Sequence, residues 1–568
     1  MLKMTVYQKH IISLVIITLA VWCLSLKNGF LGDDMLLFLQ NSFYSSFDNV
    51  KTLFSASYNT TSDNLLLHSQ MNKGSGSVAY RPVLSMTYFF DAVLWGRNPF
   101  GFHLTNLIIH TVNVCLVYNF IFRLFGLYGL SFLTALFFSI HPVQSEAICA
   151  IGYRADLLVT LWVLLSAISW MAFRRGKMAG FLGAILFYLL ALLSKESAAF
   201  LPFWFLVFDR WKKVSWKEIS WPYFGFCLAA SSYLYLYFIV FPNTSLHAFH
   251  MGWLEKLSVC GKSWTNYITY FLLPILVVPF PPLYYTFPRP LSLTSEIWFL
   301  AVFFVLAGIL LVKRSTPQRP YHLMGLWAAL FFFPASGIIS NPNPVALRYL
   351  YFPGVGVYLI LAVILEWIAH TAFFQSPTKR KKIILCSIFV GMCLAGTYVN
   401  INYWKNYFTM GSCLSKEFPD HYFGHLILGE FWAGKGYPGK AVQEFNIALD
   451  DRRANSPFLV YSAGLAYLDL KDYARARQAF EFLIVRGSKY GLGYRGMGML
   501  SFQQEKYSDA VSYLEKALAL DPLISDMILL LKAYDALDNI AKVEELLEKS
   551  KNLFPDSKIQ RQPKGAHQ

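Results

Sequence analysis

The chain has 568 residues, of which 56% are hydrophobic, 17% aromatic and only 14% charged, and its mean hydropathy is +0.42. Soluble domains carry about 25% charged residues, so a water-soluble enzyme is excluded for most of the chain, and so is a disordered protein. The net charge of +16 is uneven: residues 1–402 hold 28 Lys+Arg against 13 Asp+Glu, whereas residues 403–568 hold 21 against 20. An apolar, basic, membrane-type body thus precedes a balanced, soluble-type tail. The eight cysteines are scattered, with no CxxC or Cys/His cluster, so neither a zinc site nor a disulfide framework is indicated.

A spanning helix needs about 20 mostly apolar residues. Such segments occur near 10–27, 100–122, 128–141, 155–173, 178–193, 197–208, 220–241, 294–312, 321–340, 350–371 and 383–401. That makes about 11 spans, with 197–208 the short one. Lys3 and Lys9 precede the first span as in a signal peptide. No small-x-small cleavage site follows, which favours an uncleaved anchor. The loop over 28–99 is too long for a connector. Its part from Arg81 to Trp95 is amphipathic and aromatic, and reads as a helix on the membrane surface. The stretch 253–293 contains Pro274, Pro279, Pro281 and Pro282 and reads as an external re-entrant or surface segment.

Basic clusters stand at Arg174-Arg175-Gly176-Lys177, from Arg210 to Lys217, at Lys313-Arg314 and over Lys379–Lys382. With the N-terminus in the cytosol every cluster falls inside, as loop charge requires, and the C-terminal tail falls outside. The unusual polar residues then share the external side. They are Gly32-Asp33-Asp34, Tyr80-Arg81-Pro82, His141-Pro142, Glu146, Tyr153-Arg154-Ala155-Asp156, Ser194-Lys195-Glu196, Asn341-Pro342-Asn343-Pro344 and Arg348-Tyr349. Ionisable groups at span edges are costly and usually pair or face a cavity. Arg154 with Asp156, or Lys195 with Glu196, also read as structural ion pairs. Asp33-Asp34, directly after the first span, is what a general base for a hydroxyl acceptor needs. The Arg and Lys set suits an anionic phosphate. Sequons at Asn59 and Asn243 lie on the same side and matter only in a eukaryotic source.

The tail repeats with a period near 34 residues. Gly429, Trp432, Ala441, Phe445 and Ala448 form one set; Gly464, Tyr467, Ala476 and Phe480 a second; Gly498, Ala510, Leu514, Ala517 and Pro522 a third. These are the small and large positions of a tetratricopeptide repeat. The units lie at about 429–453, 464–488 and 498–522, with a degenerate unit at 531–555 capping the stack. Residues 557–568 read as a disordered end. The expected fold class is all-α: a polytopic membrane helical bundle over 1–402, then a soluble α-solenoid over 415–556. A groove of such repeats suits a protein partner, and no nucleic acid is expected.

The ordered motifs GDD, YRPVLSMTYFFDAVLWGRNPFGFHLTNLIIH, HPVQSEAICAIGYRADLL, LLSKES and RYLYFPGVG resemble the transmembrane and tetratricopeptide repeat-containing (TMTC) proteins and their bacterial relatives. These are glycosyltransferases of the GT-C type, alongside the protein O-mannosyltransferases. The resemblance covers about 10–402 and 415–556. It implies transfer of a sugar, mannose favoured, from a polyprenyl-phosphate donor to a protein hydroxyl on the external or lumenal side. It implies an acidic motif in the first external loop, matched by Asp33 and Asp34. The further family motifs are matched by Tyr80, Arg81, His141, Glu146, Arg154, Asp156, Lys195, Glu196, Arg348 and Tyr349. The expected roles are Asp34 or Asp33 as base, and Arg154, Lys195, Arg348 and Arg81 on the donor phosphate. Tyr80, His141, Glu146, Asp156, Glu196 and Tyr349 support them. No firm cofactor is expected. A divalent metal is compatible with carboxylates, but no fixed multi-acid spacing calls for one. Only about four repeats are present, fewer than in the longer animal members, which favours a bacterial-type protein with repeats outside the inner membrane; in a eukaryote they would occupy the endoplasmic reticulum lumen. Two rivals remain: a membrane-anchored tetratricopeptide scaffold without catalysis, and a transporter, for which inverted halves are missing.

Overall fold

The computed structural model describes residues 4–32, 34–39, 44, 47–54, 80–240, 253–278, 320–336, 346–370, 379–451, 456–486 and 491–553. The expected span at 294–312, both sequons, the Asn341–Pro344 run, Lys313-Arg314 and the end beyond 557 lie outside these residues. Among the described residues all regular structure is helical. The chain divides into two compact units at Lys405/Asn406.

The first unit begins with α1 (Val6–Trp22), whose start is fixed by a capping box between Thr5 and Gln8. Its last turn tightens into a 3₁₀ segment, Cys23–Lys27. Then follow α2 (Pro82–Trp95), α3 (Pro99–Phe125), α4 (Tyr128–Ile140), α5 (Ser145–Cys149), α6 (Arg154–Phe173), α7 (Met178–Leu192), α8 (Leu201–Trp211) and α9 (Trp216–Val240). Next come α10 (Trp253–Leu272), α11 (Tyr321–Phe332), α12 (Gly354–His370) and α13 (Lys379–Tyr403). Proline at the first turn starts α2 and α3, where its missing N–H costs nothing.

Among the described residues four segments are long and apolar enough to cross a membrane: Val6–Lys27, Pro99–Phe125, Ile151–Phe173 and Ile383–Tyr403. Four further apolar helices are shorter: Tyr128–Ile140, Met178–Leu192, Tyr321–Ala335 and Gly354–Ile368. The expected 197–208 span is a 3₁₀ turn, Glu196–Phe200, leading into the eleven-residue α8. Of the stretch 253–293, Trp253–Leu272 is helical and 279–293 lies outside the described residues; α10 is not among the helices apolar enough to span. Outward faces are apolar, with Leu182 67% and Phe224 72% exposed, as lipid contact requires.

Inside, helices meet through small residues and paired polar groups, as membrane bundles do. A Cβ on Gly180 would lie 2.5 Å from the Phe173 nitrogen and the Ser169 oxygen, so only glycine lets α7 approach α6 there. Trp22 donates to the Ser139 carbonyl at 2.7 Å. The His110 ring meets the Tyr351 hydroxyl at 2.8 Å, and Asn113 donates to the same hydroxyl and to the Leu157 carbonyl.

The second unit opens with α14 (Tyr407–Glu417). Four antiparallel pairs follow: α15 (Tyr422–Gly434) with α16 (Pro438–Asp450), α17 (Pro457–Asp469) with α18 (Tyr473–Val485), α19 (Leu492–Gln503) with α20 (Tyr507–Leu520), and α21 (Ile524–Ala536) with α22 (Ile540–Leu553). The glycines that set the period sit mid-helix, so each pair starts several residues before them. Each glycine lets the second helix of its pair press in: a Cβ would stand 2.4 Å from Phe445 at Gly429, 2.5 Å from Phe480 at Gly464 and 2.7 Å from Leu514 at Gly498.

Candidate active site

The site gathers at one end of the first unit. Its acidic member is set by the turn after α1. Gly32 adopts a φ of +53°, a left-handed conformation glycine takes without strain. The Asp34 and Met35 amides close the turn onto Leu31 and Gly32. The Asp34 carboxylate, 2% exposed, accepts from the Gly152 amide at 2.6 Å, from Ile151 at 3.2 Å and from Leu31 at 3.4 Å. The turn after α1 and the loop before α6 are therefore joined at this carboxylate. Asp33 lies outside the described residues.

One residue beyond that contact, the Tyr153 ring lies 3.9 Å beneath the Arg348 guanidinium. Arg348 also stands 5.0 Å from the Tyr349 ring, over which the Lys195 ammonium lies at 5.6 Å. Two cations from distant parts of the chain thus share one aromatic ring, whose π-system favours cations. Each has a carboxylate: Arg348 binds Glu146 through a guanidinium nitrogen and, at 3.0 Å, through its amide; Lys195 binds Asp156 at 2.6 Å. Arg81 makes a forked pair with Glu196 at 2.9 and 3.1 Å. Desolvation beside Arg81 would raise the Glu196 carboxyl, but the Arg81 and Lys195 charges outweigh it and hold it at about 2, though the side chain is still partly in solvent.

The pairing differs from sequence adjacency. Arg154 does not pair with Asp156, nor Lys195 with Glu196. Residues two apart on a helix do not face each other, so Arg154 turns inward while Asp156 meets Lys195. Arg154 is fully buried. It binds Asp91 at 2.5 Å, Asn106 at 2.6 Å, the Phe102 carbonyl at 3.0 Å and Thr87 at 3.1 Å, with the Tyr88 ring at 4.8 Å. Tyr88 in turn donates to the Ile151 carbonyl at 2.9 Å, and Asn106 to the Ile148 carbonyl at 3.2 Å. This knot fixes the turn whose amides receive Asp34. Sequence reading missed Asp91, although a lone acid inside the apolar run of α2 carries the signal, since such a charge needs a partner.

Tyr80 is buried, with its ring 6.4 Å from Tyr233. His141 caps the Pro142–Gln144 turn by accepting from the Val143 amide at 3.3 Å, and packs among Tyr358, Phe271 and Phe389. Among the described residues its ring contacts are with this aromatic shell and not with the Asp34–Lys195 group. Among the described residues no group of three or more His, Cys, Asp or Glu is placed to hold a metal ion.

Fold and site together define an integral membrane protein with a charged cluster at one end of its helices and a tetratricopeptide array after it. The tetratricopeptide repeat family profile matches residues 496–522. The resemblance read from the motifs is borne out by curated relatives. The chain is 39% identical over 101 residues to the human protein O-mannosyl-transferase TMTC1, covering 18% of this chain and 12% of that protein. It is 22% identical over 454 residues to the Caenorhabditis elegans protein O-mannosyl-transferase F38B6.6, covering 77% of this chain and 62% of the relative. Against mouse TMTC3, of the same printed activity, it is 28% identical over 162 residues, covering 28% and 17%. The chain thus spans less than two thirds of the length of each of these relatives.

Proposed function

We propose that the chain is a membrane glycosyltransferase of the GT-C type. It moves a hexose, mannose favoured, from a polyprenyl-phosphate carrier to a hydroxyl of a protein acceptor on the external or lumenal face. The observation that carries this reading is the junction at Ile151–Tyr153. It seats the Asp34 carboxylate on one side and the Arg348–Tyr349–Lys195 cation pair on the other. Asp34 takes the proton of the acceptor hydroxyl as its oxygen bonds to the anomeric carbon, while the bond from that carbon to the phosphate oxygen breaks. Direct displacement inverts the carbon. The leaving phosphate stays on the lipid, its charge held by Lys195, Arg348 and Arg81. Arg154, consumed by its buried partners, positions the turn that orients Asp34. Glu146, Asp156 and Glu196 orient the cations.

The shorter apolar helices complete the bundle around the carrier's tail, and the repeats bring the acceptor. The basic ends of the helices lie in the cytosol; the site and the repeats lie outside, in a bacterial periplasm or in the endoplasmic reticulum lumen of a eukaryote.

The test compares wild type with Asp34→Asn, both reconstituted in lipid with equal melting temperatures. Each receives a panel of polyprenyl-phosphate sugars and extracts of external proteins. Label should enter protein with wild type and fall by about 10²-fold or more in the variant, the range for loss of a general base. Equal labelling would remove Asp34 as base. No labelling from any donor, with partner binding intact, would favour the scaffold reading.

A further inference from the structure

The basic clusters at the other end of the bundle do more than satisfy loop charge. They converge. The Arg175 guanidinium donates to the Arg123 carbonyl at 3.4 Å, tying the end of α3 to the end of α6. Arg174 pairs with Asp209 at the end of α8 and donates to the Glu218 carbonyl at 3.3 Å, tying in the start of α9. Asp209 is fully buried and also accepts from Trp170 at 3.1 Å, so its charge is spent inside. Around this knot Arg175, Arg210, Lys212, Lys213 and Lys217 are exposed, against a single exposed acid in these segments, Glu218.

Indoles back the cations. Arg210 lies 4.8 Å over Trp216, and Lys212 lies 4.1 Å over Trp211. Trp216 is 62% exposed, and the exposed apolar side chains of Trp221, Phe224 and Met178 continue from the same end. Indoles beside Lys and Arg mark the level of lipid headgroups. Burial and the neighbouring Arg175 charge push the Lys212 ammonium below its usual value, a crowding that an anion between them would relieve. Loop charge alone explains the number of these cations, not their convergence onto one spot flanked by exposed apolar surface. A phosphate needs the first and acyl chains need the second.

We propose that this end of the bundle binds an anionic phospholipid, its phosphate among Arg175, Arg210, Lys212 and Lys213 and its tails on the apolar flank of α9. The site stands about 30 Å from the Asp34 cluster, the length of the 20-residue α6. It rests on the membrane reading and not on the transferase reading.

The test uses the full chain in detergent, given equal amounts of phosphatidylglycerol and phosphatidylcholine and examined by native mass spectrometry. Wild type should retain phosphatidylglycerol in excess. Lys213 sits at a φ of 59°, where glycine is at ease, so Lys213→Gly removes a charge without endangering the fold. It should lower the excess by about fivefold, and Lys212→Gln with Lys213→Gly should lower it further, following the energy of one basic residue near an anionic surface. Equal retention of both lipids by wild type, or an unchanged excess in both variants, would overturn the proposal. Displacement of the excess by millimolar inorganic phosphate would also overturn it, in favour of a free-anion site.

Discussion

Arg154 has five N–H donors and no access to solvent, so its surroundings must supply an acceptor for each. Asp91 is the only charged one among its described partners. Asp91→Ala leaves a buried cation uncompensated and should cost about 3–5 kcal/mol, read as a fall in thermal stability of the detergent-purified chain. Adding Arg154→Met should recover much of that loss, because the stranded charge is then gone. Wild-type melting of Asp91→Ala alone would show that Arg154 is not held this way. Glu196 behaves differently. Its carboxyl sits at about 2 against about 4.3 when free. A depressed carboxyl stabilises above the free value and loses that contribution as pH falls from about 4.3 through 2. Its side chain is 58% exposed, so the effect is that of a surface pair, about 0–1 kcal/mol. Glu196→Gln should flatten the pH dependence of melting in that window, losing the pair's contribution of about 0–1 kcal/mol at neutral pH and converging on wild type as pH falls toward 2. The types of these residues were legible in the sequence, since charges at the edges of apolar runs are conspicuous. Their partners were not. Glu146 and Arg348 are 202 residues apart, and helical geometry separates the near neighbours that a linear reading pairs.

Among the elements, the repeats were the most legible because one steric rule recurs in three of the four pairs. A glycine on the first helix accepts a bulky residue from the second, and the period follows. Gly464→Ala places a methyl 2.5 Å from the Phe480 ring and should cost about 1–3 kcal/mol, as overpacking does. The turns between paired helices obey a second rule. Gly436, Lys471, Glu505 and Asp538 all have positive φ, at 75°, 60°, 61° and 55°, each at the end of the first helix of its pair. Only the first pair uses glycine there. Glu505→Gly should therefore raise stability, by up to about 1 kcal/mol, where Gly464→Ala lowers it. Denaturant titration of the two variants separates the rules. A lower midpoint for Glu505→Gly would mean that its side chain makes contacts worth more than the backbone strain it imposes. The membrane helices were legible in position but less so in kind. Apolar length locates α4, α7, α11 and α12, yet these are shorter than a bilayer crossing demands.

At the scale of the whole molecule the chain sorts its charge along the helices of the first unit. Asp34, Arg348 and Lys195 gather at one end, while Arg123, Arg175 and Lys212 stand at the other, with the start of α1 beside them through the Tyr7–Tyr118 and Tyr7–Phe122 ring contacts. The second unit needs none of this polarity, because its core is its own. Ala441, Phe445, Leu459, Phe480 and Leu500 belong to one buried cluster, and Leu514, Met527, Leu530 and Tyr534 to the next. Stacked repeats derive stability from each repeat and its contacts with nearest neighbours. A fragment of residues 406–568 should accordingly fold without the membrane unit, with helical circular dichroism and one cooperative melt. Ending the fragment at Asp521 removes the last pair. That uncovers Leu514 and takes Asp526 away from Arg495, which is 3% exposed and binds it at 2.8 Å. The shortened fragment should melt lower and less cooperatively, since it exposes apolar surface and leaves the buried Arg495 to Asp521, 3.5 Å away, without its closer carboxylate. Identical melting of both fragments would mean that the fourth pair stabilises nothing before it. Failure of the longer fragment to fold would mean that the second unit depends on the first for stability, despite having its own core.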